Sequence, residues 1–494
     1  MKKRPNTISL SFVAFLLFSF LGLQAAAPIN AQENATSLEV KIPVKRDFRS
    51  GAVHSYKIKA SAGTFIEVAA IQNGVDISLA ASAPDGRKII ETDAPTFWFG
   101  RETLVFAAEE TGDYRIEIKA ARPGNFAGNY EIALETARAL QPSDRHRIEA
   151  YTIMANAASQ LQGRKAATRT LQAIEQLKTS LTQFSEAGDT NGEAAALLWI
   201  GLFNNRLGAR REAAAALEKS IAKWRSIGDR AGEAVALAEA GIVFHYLNEN
   251  EKGLYYLNQA LALRQNLLDR LGESATLTYL CQYYNNTGAF QKGLETCRRS
   301  VALRQDGDVV GGILTLKVIG NLHYNLGEYE KALFYFEQAV ASFPAAGDFL
   351  NPETEAAIYT NIGGTRYEYK DYKSALEYIG KALRIGEEVG NRPFQAGRLR
   401  DIGEVYFQLG NYEKSLENLL RSLKIYEELN LPVQQAVHAT MGRVYGETGQ
   451  TERARASFEQ ALQLNRMNGD RYAAAETLYS YAFLENKVGQ FAAA

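Results

Sequence analysis

The chain has 494 residues, of which 46% are hydrophobic and 22% are charged, and this is the composition of an ordinary globular protein. Its 55 Lys and Arg side chains nearly balance its 56 Asp and Glu side chains, which leaves a formal net charge of -1. Because nucleic-acid-binding proteins usually carry a basic surplus or a basic stripe, this balance argues against that class of function.

The N-terminus has the three parts of a secretory signal peptide. Basic residues follow Met1, the stretch from Ile8 to Leu23 is apolar, and small residues lie before Gln32. We therefore expect residues 1–31 to be a cleaved signal peptide and the protein to be exported, to the periplasm or the extracellular space. The alternative is an uncleaved membrane anchor, because the apolar run is near the lower limit for a spanning helix. No other window predicts a membrane span.

Residues 37–140 are predicted to be β-strands, because apolar and polar residues alternate with a period close to two. Turns rich in glycine, proline and aspartate separate the alternating runs. We therefore expect a small antiparallel β-sandwich. The alternating apolar residues include Leu38, Val40, Ile42, Tyr56, Ile58, Tyr114, Ile116 and Ile118.

Three stretches of this segment resemble the bacterial pre-peptidase C-terminal domain, namely residues 75–79, 83–86 and 110–118. The resemblance implies an accessory module of a secreted protein, used in binding or in folding, and in some members a calcium site. The oxygen ligands here would be Asp76, Asp85 and Asp113. Aspartates in turns mostly stabilise the turn itself, so we predict no metal and no cofactor.

From residue 144 to residue 494 the chain is a tandem array with a period near forty. A small residue in the first helix of each unit recurs at steps of 40, 40, 39, 43, 40, 39 and 40. These residues are Gly201, Gly241, Cys281, Gly320, Gly363, Gly403, Gly442 and Ala482. Late in the second helix another small residue recurs in the same register, as Ser180, Ser220, Ala260, Ser300, Ala339, Ala382, Ser422 and Ala461. A period of this length predicts a solenoid, which offers a long surface for binding other chains.

Each unit is predicted to be two helices joined by a tight turn, in which Leu-Gly is followed two residues later by Tyr or Phe. The residues that carry this pattern include Ile402, Gly403, Tyr406, Gly410, Tyr412, Leu419 and Ser422. They resemble the tetratricopeptide repeat family, which implies an all-α, right-handed superhelix of helix hairpins. The usual repeat of that family has 34 residues, so the longer period implies longer helices. The expected fold class is thus α+β in separate domains, a sandwich followed by a solenoid.

The linkers between units also carry a resemblance. The Gly-Asp phrases at residues 188–194 and 228–234, following an exported sandwich, resemble the N-terminal regions of bacterial CHAT-domain proteins. Those proteins place a caspase-like protease domain after the repeats. The last unit begins near Tyr472 and stops one turn into its second helix, so we expect a truncated last repeat and a longer natural chain. A true terminus that a partner covers is the alternative.

The only two cysteines are Cys281 and Cys297, and both fall in one unit. They flank the turn at 288–289 symmetrically, so they face each other in an antiparallel hairpin of helices. Two interpretations stay open, a disulfide formed in an oxidising compartment or two buried thiols.

No motif for catalysis appears in the sequence, and the five histidines are scattered, so we predict no catalytic residue. Binding in the groove lined by first helices is the favoured function, and Lys317, Asn321 and Asn361 resemble part of the carboxylate clamp of some tetratricopeptide domains. Gly397 and Asp401 stand where that clamp has basic residues, although Arg398 and Arg400 lie nearby. The full set of predicted peptide-binding residues is Lys317, Asn321, Tyr324, Asn361, Tyr367, Arg400 and Phe407.

The sequence therefore predicts an exported scaffold that binds a protein or peptide partner without catalysis. The alternative is the regulatory N-terminal part of a CHAT-type protease. The partner's identity and the oligomeric state are not predicted.

Overall fold

The computed structural model describes residues 35–94, 99–121, 126–159, 167–304 and 307–489. The expected signal peptide and residues 490–494 of the last repeat lie outside these ranges. The chain divides into two compact units, Met1–Ala35 and Thr36–Ala494, and everything below concerns the second. Within the described ranges no helix is both long enough and apolar enough to cross a membrane.

The β-sandwich precedes all the helices. Its described strands are β1 Thr36–Ser37, β2 Val44–Arg49, β3 Val53–Ala60, β4 Thr64–Asn73, β5 Ile77–Ser82, β6 Lys88–Thr92, β7 Phe99–Ala107, β8 Gly112–Ala120 and β9 Ala127–Ala139. One sheet has the order β1-β3-β8-β5-β6, and the other has the order β2-β9-β4-β7. All neighbours pair antiparallel except β1 and β3. The predicted alternation is confirmed in β3 and β8, where Tyr56, Ile58, Tyr114, Ile116 and Ile118 are buried while their polar neighbours are more exposed.

The first predicted strand is wrong. Val40 forms only an isolated bridge with Leu134, and its side chain is 47% exposed. Lys41 has a φ of 60°, which a strand cannot contain, and Pro43 removes a backbone donor just before β2 begins. Of the three alternating apolar residues in this stretch, Leu38, Val40 and Ile42, only Leu38 is buried in the core.

Helices fill the rest of the described chain. They are α1 Pro142–Ala158, α2 Ala167–Ala187, α3 Thr190–Arg206, α4 Arg210–Ile227, α5 Arg230–Tyr246, α6 Asn250–Asn266, α7 Arg270–Asn286, α8 Phe290–Leu303, α9 Val309–Asn325, α10 Tyr329–Ala341, α11 Phe343–Ala346, α12 Pro352–Glu368, α13 Tyr372–Glu388, α14 Arg392–Gln408, α15 Tyr412–Glu428, α16 Gln435–Glu447, α17 Thr451–Asn468 and α18 Arg471–Lys487. Helices α3 to α17 form seven hairpins after the first hairpin of α1 and α2, with the short α11 between α10 and α12. The predicted fold class, a sandwich followed by a helical solenoid, is confirmed.

The linkers explain where the helices begin and end. Gly228 ends α4 with a φ of 73°, a left-handed conformation that suits glycine, and Asp229 then accepts a hydrogen bond from the backbone N–H of Gly232 at 2.9 Å. The same aspartate cap opens α3, α7 and α9. At α1 the helix begins at Pro142, earlier than the sequence predicts, and Asp144 caps it from within the first turn by accepting the N–H of Gln141 at 2.8 Å.

The recurring small residues hold the two helices of each hairpin close together. A Cβ atom added to Gly320 would lie 2.4 Å from the ring of Phe336, sixteen residues later in the chain. The same close approach joins Gly201 to Leu217, Gly241 to Leu257, Gly363 to Ile379, Gly403 to Leu419 and Gly442 to Phe458. The small residues of the second helices, from Ser180 to Ala461, are fully buried in every hairpin.

The sandwich and the first hairpins share one hydrophobic core, which runs from Leu38 in the sandwich to Ala260 in α6. A polar cluster fixes the same junction, because the Arg147 guanidinium of α1 donates two hydrogen bonds of 2.8 Å to the Glu67 carboxylate of β4. Its Nε also donates to Asp189, the residue that caps α3. The sandwich is therefore packed onto the array as part of its first units.

Candidate functional site

We define the inner face of the array by two positions on each first helix. One lies three residues before the recurring small residue, and the other lies one residue after it. In α3, α5 and α7 the first of these positions is buried, as Leu198, Ala238 and Thr278. Strand β7 packs against α1 and α5 at this end. In α9, α12 and α14 the position is polar and partly exposed, as Lys317, Thr360 and Arg400, so the open part of the inner face begins at Lys317.

Lys317 lies on this open part without a counter-ion. Its ammonium group has no carboxylate within salt-bridge distance and no hydrogen-bond partner among the residues that the structure describes. Burial lowers its pKa from the ordinary value, because the surrounding helices displace water from a charged group. A cation held in such surroundings favours an anionic group supplied from outside.

The two predicted asparagines bind each other across neighbouring units. The amide N–H of Asn361 on α12 donates to the Asn321 carbonyl oxygen on α9 at 2.7 Å. A similar bond joins Asn325 to Asn285, one unit earlier, at 3.0 Å. These contacts form a ladder of polar side chains along the first helices. The bond ties Asn321, which lies one turn after Lys317 on α9, to α12, and each asparagine keeps further donor and acceptor capacity for a ligand.

Arg400 is partly neutralised by its neighbour. Its Nη2 donates to the Asp401 carboxylate at 2.6 Å, and the charge of Asp401 raises the pKa of Arg400. Arg398 shares the same carboxylate at 2.8 Å and also donates to Thr360 at 2.7 Å. Two guanidinium groups therefore meet one carboxylate, which leaves a net positive charge one unit beyond Asn361.

The predicted aromatic residues lie on the same helices but belong to packed clusters. Tyr367 donates its hydroxyl to Glu404 at 3.0 Å. Tyr324 packs beside the ring of Tyr329, with 5.4 Å between centroids. Phe407 lies under the Arg443 guanidinium, 4.8 Å from the ring centroid. All three predicted aromatics are half-buried, and each lies three residues after the second inner-face position of its helix.

Cys281 and Cys297 are joined by a disulfide in the structure, with Cα atoms 5.4 Å apart. Both side chains are fully buried between α7 and α8. Since these are the only cysteines of the sequence, the structure offers no thiolate nucleophile.

The three aspartates considered for calcium are not brought together. Asp76 precedes β5, whereas Asp85 lies in the turn that follows the same strand, and Asp113 is at the start of β8 beside that turn. Asp85 accepts the backbone N–H of Arg87 at 2.8 Å, which is the ordinary role of a turn aspartate. Across the described ranges no three His, Cys, Asp or Glu side chains are grouped so that they could hold a metal ion.

Sequence reasoning missed a cavity of about 1100 Å³ at the other end of the inner face. It lies between the sandwich, helices α1 and α3, and the connection before α12. One signal was present in the sequence, the step of 43 residues between Gly320 and Gly363, because the extra residues form part of the cavity wall.

Comparison with known proteins identifies the repeats. Family models described as tetratricopeptide repeat match residues 314–346, 354–428 and 436–467. The helical array therefore contains tetratricopeptide repeats, as the sequence predicts.

Two curated proteins are similar to parts of the chain. It is 28% identical over 166 residues to protein Kinesin light chain-related 1 of Arabidopsis thaliana, covering 31% of this chain and 26% of that protein. It is 28% identical over 106 residues to regulatory protein RapG of Bacillus subtilis, covering 22% of this chain and 28% of that protein. The similarity thus spans about a quarter of the length of each relative.

Solved structures are also similar to the chain, at low sequence identity. One is a signal transduction ATPase with a tetratricopeptide repeat sensor from Pyrococcus horikoshii. It is 18% identical, with a TM-score of 0.47, over 70% of this chain and 51% of that one.

Proposed function

We propose that the chain is an exported scaffold that binds an extended segment of a partner protein along its open inner face, without catalysing a reaction. The tetratricopeptide repeats support a role in protein–protein interaction. The binding segment runs across α9, α12 and α14, where the inner face is polar and partly exposed.

The observation that carries this proposal is Lys317. Its ammonium group is half-buried on the inner face and has no anionic partner in the described chain, so burial destabilises its charged form. A carboxylate on the partner would restore the missing counter-charge. Asn321 and Asn361 flank this point and would bond to the partner's backbone, while the positive excess at Arg398 and Arg400 extends the anionic preference by one unit.

The test uses an array of short synthetic peptides with free carboxyl termini, probed with the full chain. We expect the bound peptides to be acidic and Lys317→Ala to weaken them by about tenfold or more, which corresponds to about 1.4 kcal/mol. Lys331→Ala is the matched control, because Lys331 is a solvent-exposed lysine of the same hairpin that pairs with Glu328. Equal affinity in the wild type and Lys317→Ala would reject the groove as the binding site.

Export is a part of this proposal that the N-terminal sequence and the disulfide both support. A buried disulfide between α7 and α8 persists where the compartment is oxidising. The intact mass of the protein purified from its natural source tests it, with loss of the first ~31 residues expected. A mature protein that retains those residues would contradict signal-peptide cleavage.

The CHAT alternative predicts the same fold for these residues and the same binding groove. It differs in assigning the bound segment to the control of a protease domain on the same polypeptide. The intact mass and sequence of the natural polypeptide distinguish the two proposals.

A further inference from the structure

The array packs against one edge of the β-sandwich. Helices α1 and α5 contact β6 and β7, which are the last strands of the two sheets on that side. On the opposite side the sheets end in β1 and β2. Strand β1 has only two residues, so most of β3 also lies on this side. We call the surface formed by β1, β2, β3 and residues 38–43 the distal edge.

Two contacts tie the sheets together at the distal edge. The Arg46 guanidinium of β2 donates a hydrogen bond to the Thr36 hydroxyl of β1 at 3.2 Å. Residues 38–43 cross from one sheet to the other, and there the backbone N–H of Lys41 donates to the Leu134 carbonyl oxygen of β9 at 2.8 Å. The distal edge is therefore one continuous surface, as wide as the ~10 Å separation of two packed sheets.

Six exposed basic side chains lie on the distal edge, and none forms an ion pair within the residues that the structure describes. They are Lys41, Lys45, Arg46, Arg49, Lys57 and Lys59. Elsewhere in the described sandwich every lysine and arginine pairs with a carboxylate. These paired residues are Arg87, Lys88, Arg101, Arg115, Lys119 and Arg138. Within the described sandwich, cations without counter-ions are thus concentrated at the distal edge.

Carboxylates near the distal edge do not cancel this charge. The edge itself contains Glu39 and Asp47, so its basic side chains exceed its acidic ones by four. Two more carboxylates lie on the adjacent strands, Asp113 of β8 and Glu131 of β9. The remaining charged residues of β8 and β9 belong to ion pairs, which add no net charge. An excess of two positive charges therefore remains when the adjacent strands are included.

Exposed aliphatic side chains lie among these cations. Val40 and Ile42 flank Lys41 and are 47% and 54% exposed, and Val53 is 56% exposed at the start of β3. A protein surface that lies on an anionic bilayer has this composition, because its basic groups bind headgroup phosphates while its apolar side chains enter the interface. A soluble polyanion would bind the cations alone and would leave the aliphatic side chains in water.

We propose that the distal edge binds the surface of a bilayer that contains anionic phospholipids. Lys45 and Arg49 lie on the outer face of one sheet, opposite in direction to the buried Phe48, and Lys57 lies on the outer face of the other. All three act on the same bilayer, because the sheets are ~10 Å apart and the Debye length is ~8 Å at physiological ionic strength. The proposal goes beyond the proposed function and does not depend on the groove or on Lys317.

The test measures co-sedimentation of the full chain with vesicles of phosphatidylcholine, with and without about one third of phosphatidylglycerol. The readout is the ratio of the two affinities, because the apolar residues 8–23, where they are retained, favour both kinds of vesicle. Raising the salt concentration should weaken only the binding to anionic vesicles, since salt screens exposed charges.

Two double variants separate the roles of charge and apolar contact. Lys45→Glu with Lys57→Glu reverses charges on both sheets, and Ile42→Ser with Val53→Ser removes two exposed aliphatic side chains. Lys219→Glu is the matched control for net charge, because Lys219 is an exposed lysine of α4 with no ion pair in the described chain. Circular dichroism verifies that each variant is folded.

The wild type and Lys219→Glu should prefer anionic vesicles by about tenfold or more. The lysine double variant should lose this preference, since each basic residue near an anionic surface contributes roughly a fivefold gain in affinity. The serine double variant should bind anionic vesicles about fivefold more weakly. If the wild type does not distinguish the vesicles, or if the lysine double variant behaves like Lys219→Glu, the proposal is wrong. If the serine double variant binds like the wild type and soluble polyphosphate displaces both, the distal edge binds polyanions in general and the bilayer is the wrong partner.

Discussion

Cys281 and Cys297 form a disulfide at the register where the other hairpins place a glycine against a large apolar side chain. Gly241 meets Leu257 one unit earlier and Gly320 meets Phe336 one unit later, in each case sixteen residues apart, which is also the separation of the two cysteines. A covalent bond thus replaces the close packing contact that holds the other hairpins together.

Reduction of this disulfide should destabilise the chain, because it releases a loop of sixteen residues in the unfolded state. We expect a loss of about 3 kcal/mol in the free energy of unfolding, measured by denaturant titration with and without a reductant. The double variant Cys281→Gly and Cys297→Leu should fold and lose all sensitivity to the reductant, since it restores the packing of the neighbouring units. An unfolded double variant would contradict the shared register.

Two adjacent glycines of α12 should respond in opposite directions to alanine. A Cβ atom at Gly363 would lie 2.6 Å from Ile379, whereas a Cβ atom at Gly364 meets no atom within 4 Å. We expect Gly363→Ala to destabilise the protein by about 1–3 kcal/mol through overpacking. Gly364→Ala should stabilise it by about 0.5–1 kcal/mol, because alanine favours the helix. Thermal unfolding of both variants checks this, and equal shifts would show that the contact with Ile379 does not limit helix spacing.

Lys317→Met should stabilise the protein at neutral pH while removing the anionic site. Burial lowers the pKa of Lys317 in the folded state, so the unfolded chain binds more protons between that folded pKa and about 10.5. Stability should therefore rise with pH through this window in the wild type and not in the variant. Denaturant titrations at neutral and alkaline pH measure the difference, and parallel pH curves would mean that Lys317 is well hydrated.

Arg147→Met should loosen the junction between the sandwich and the array. The variant removes the cation of the nearly buried Asp189 carboxylate, and it leaves the Glu67 carboxylate with the more distant Arg101, at 3.9 Å. Breaking a buried ion pair costs about 3–5 kcal/mol, and we expect a loss near the lower end of this range. Adding Glu67→Gln should recover part of this loss, since one weakly paired buried charge is removed. A double variant as unstable as the single variant would show that the aliphatic stem of Arg147, and not its charge, matters.

Acidification should weaken the fold through His438 on α16. Burial lowers its pKa below 6.5, so its imidazole is held neutral in the folded state while the unfolded chain takes up a proton. The stabilising effect of neutral His438 is present above pH ~6.5 and is lost as the pH falls from there toward its folded pKa. His438→Gln should show a smaller decline over this window in thermal unfolding, and an unchanged decline would assign the effect to other groups.

The fold class could be predicted because each unit repeats the same physical constraint. A small residue such as Gly403 allows close approach of Leu419, and this requirement recurs in the sequence with the period of the structure. Strands β3 and β8 could also be predicted, because apolar and polar residues alternate along them. The alternation of apolar and polar residues predicted a strand wrongly at Val40, because Lys41 and Pro43 interrupt the extended backbone there.

The site was less predictable, because it depends on contacts between distant parts of the chain. Lys317 could be located from its place on the first helix, but its lack of a counter-ion depends on what the neighbouring helices supply. The hydrogen bond between Asn321 and Asn361 joins two neighbouring units. The pairing of Arg398 and Arg400 with Asp401 depends on the rotamers that the three side chains adopt. The cavity requires the packing of the sandwich, which repeat periodicity does not encode.

The single core that runs from the sandwich to α6 also limits how the array can change in length. Removing one hairpin among the first three would leave part of the sandwich without the surface on which it packs. Later hairpins instead pack on their neighbours through small clusters, such as the one in which Leu419 of α15 meets Met441 of α16. We therefore expect insertion or deletion of whole units, in evolution or by design, to be tolerated at the end of the array far from the sandwich. The first three hairpins have to stay, because the sandwich packs on them.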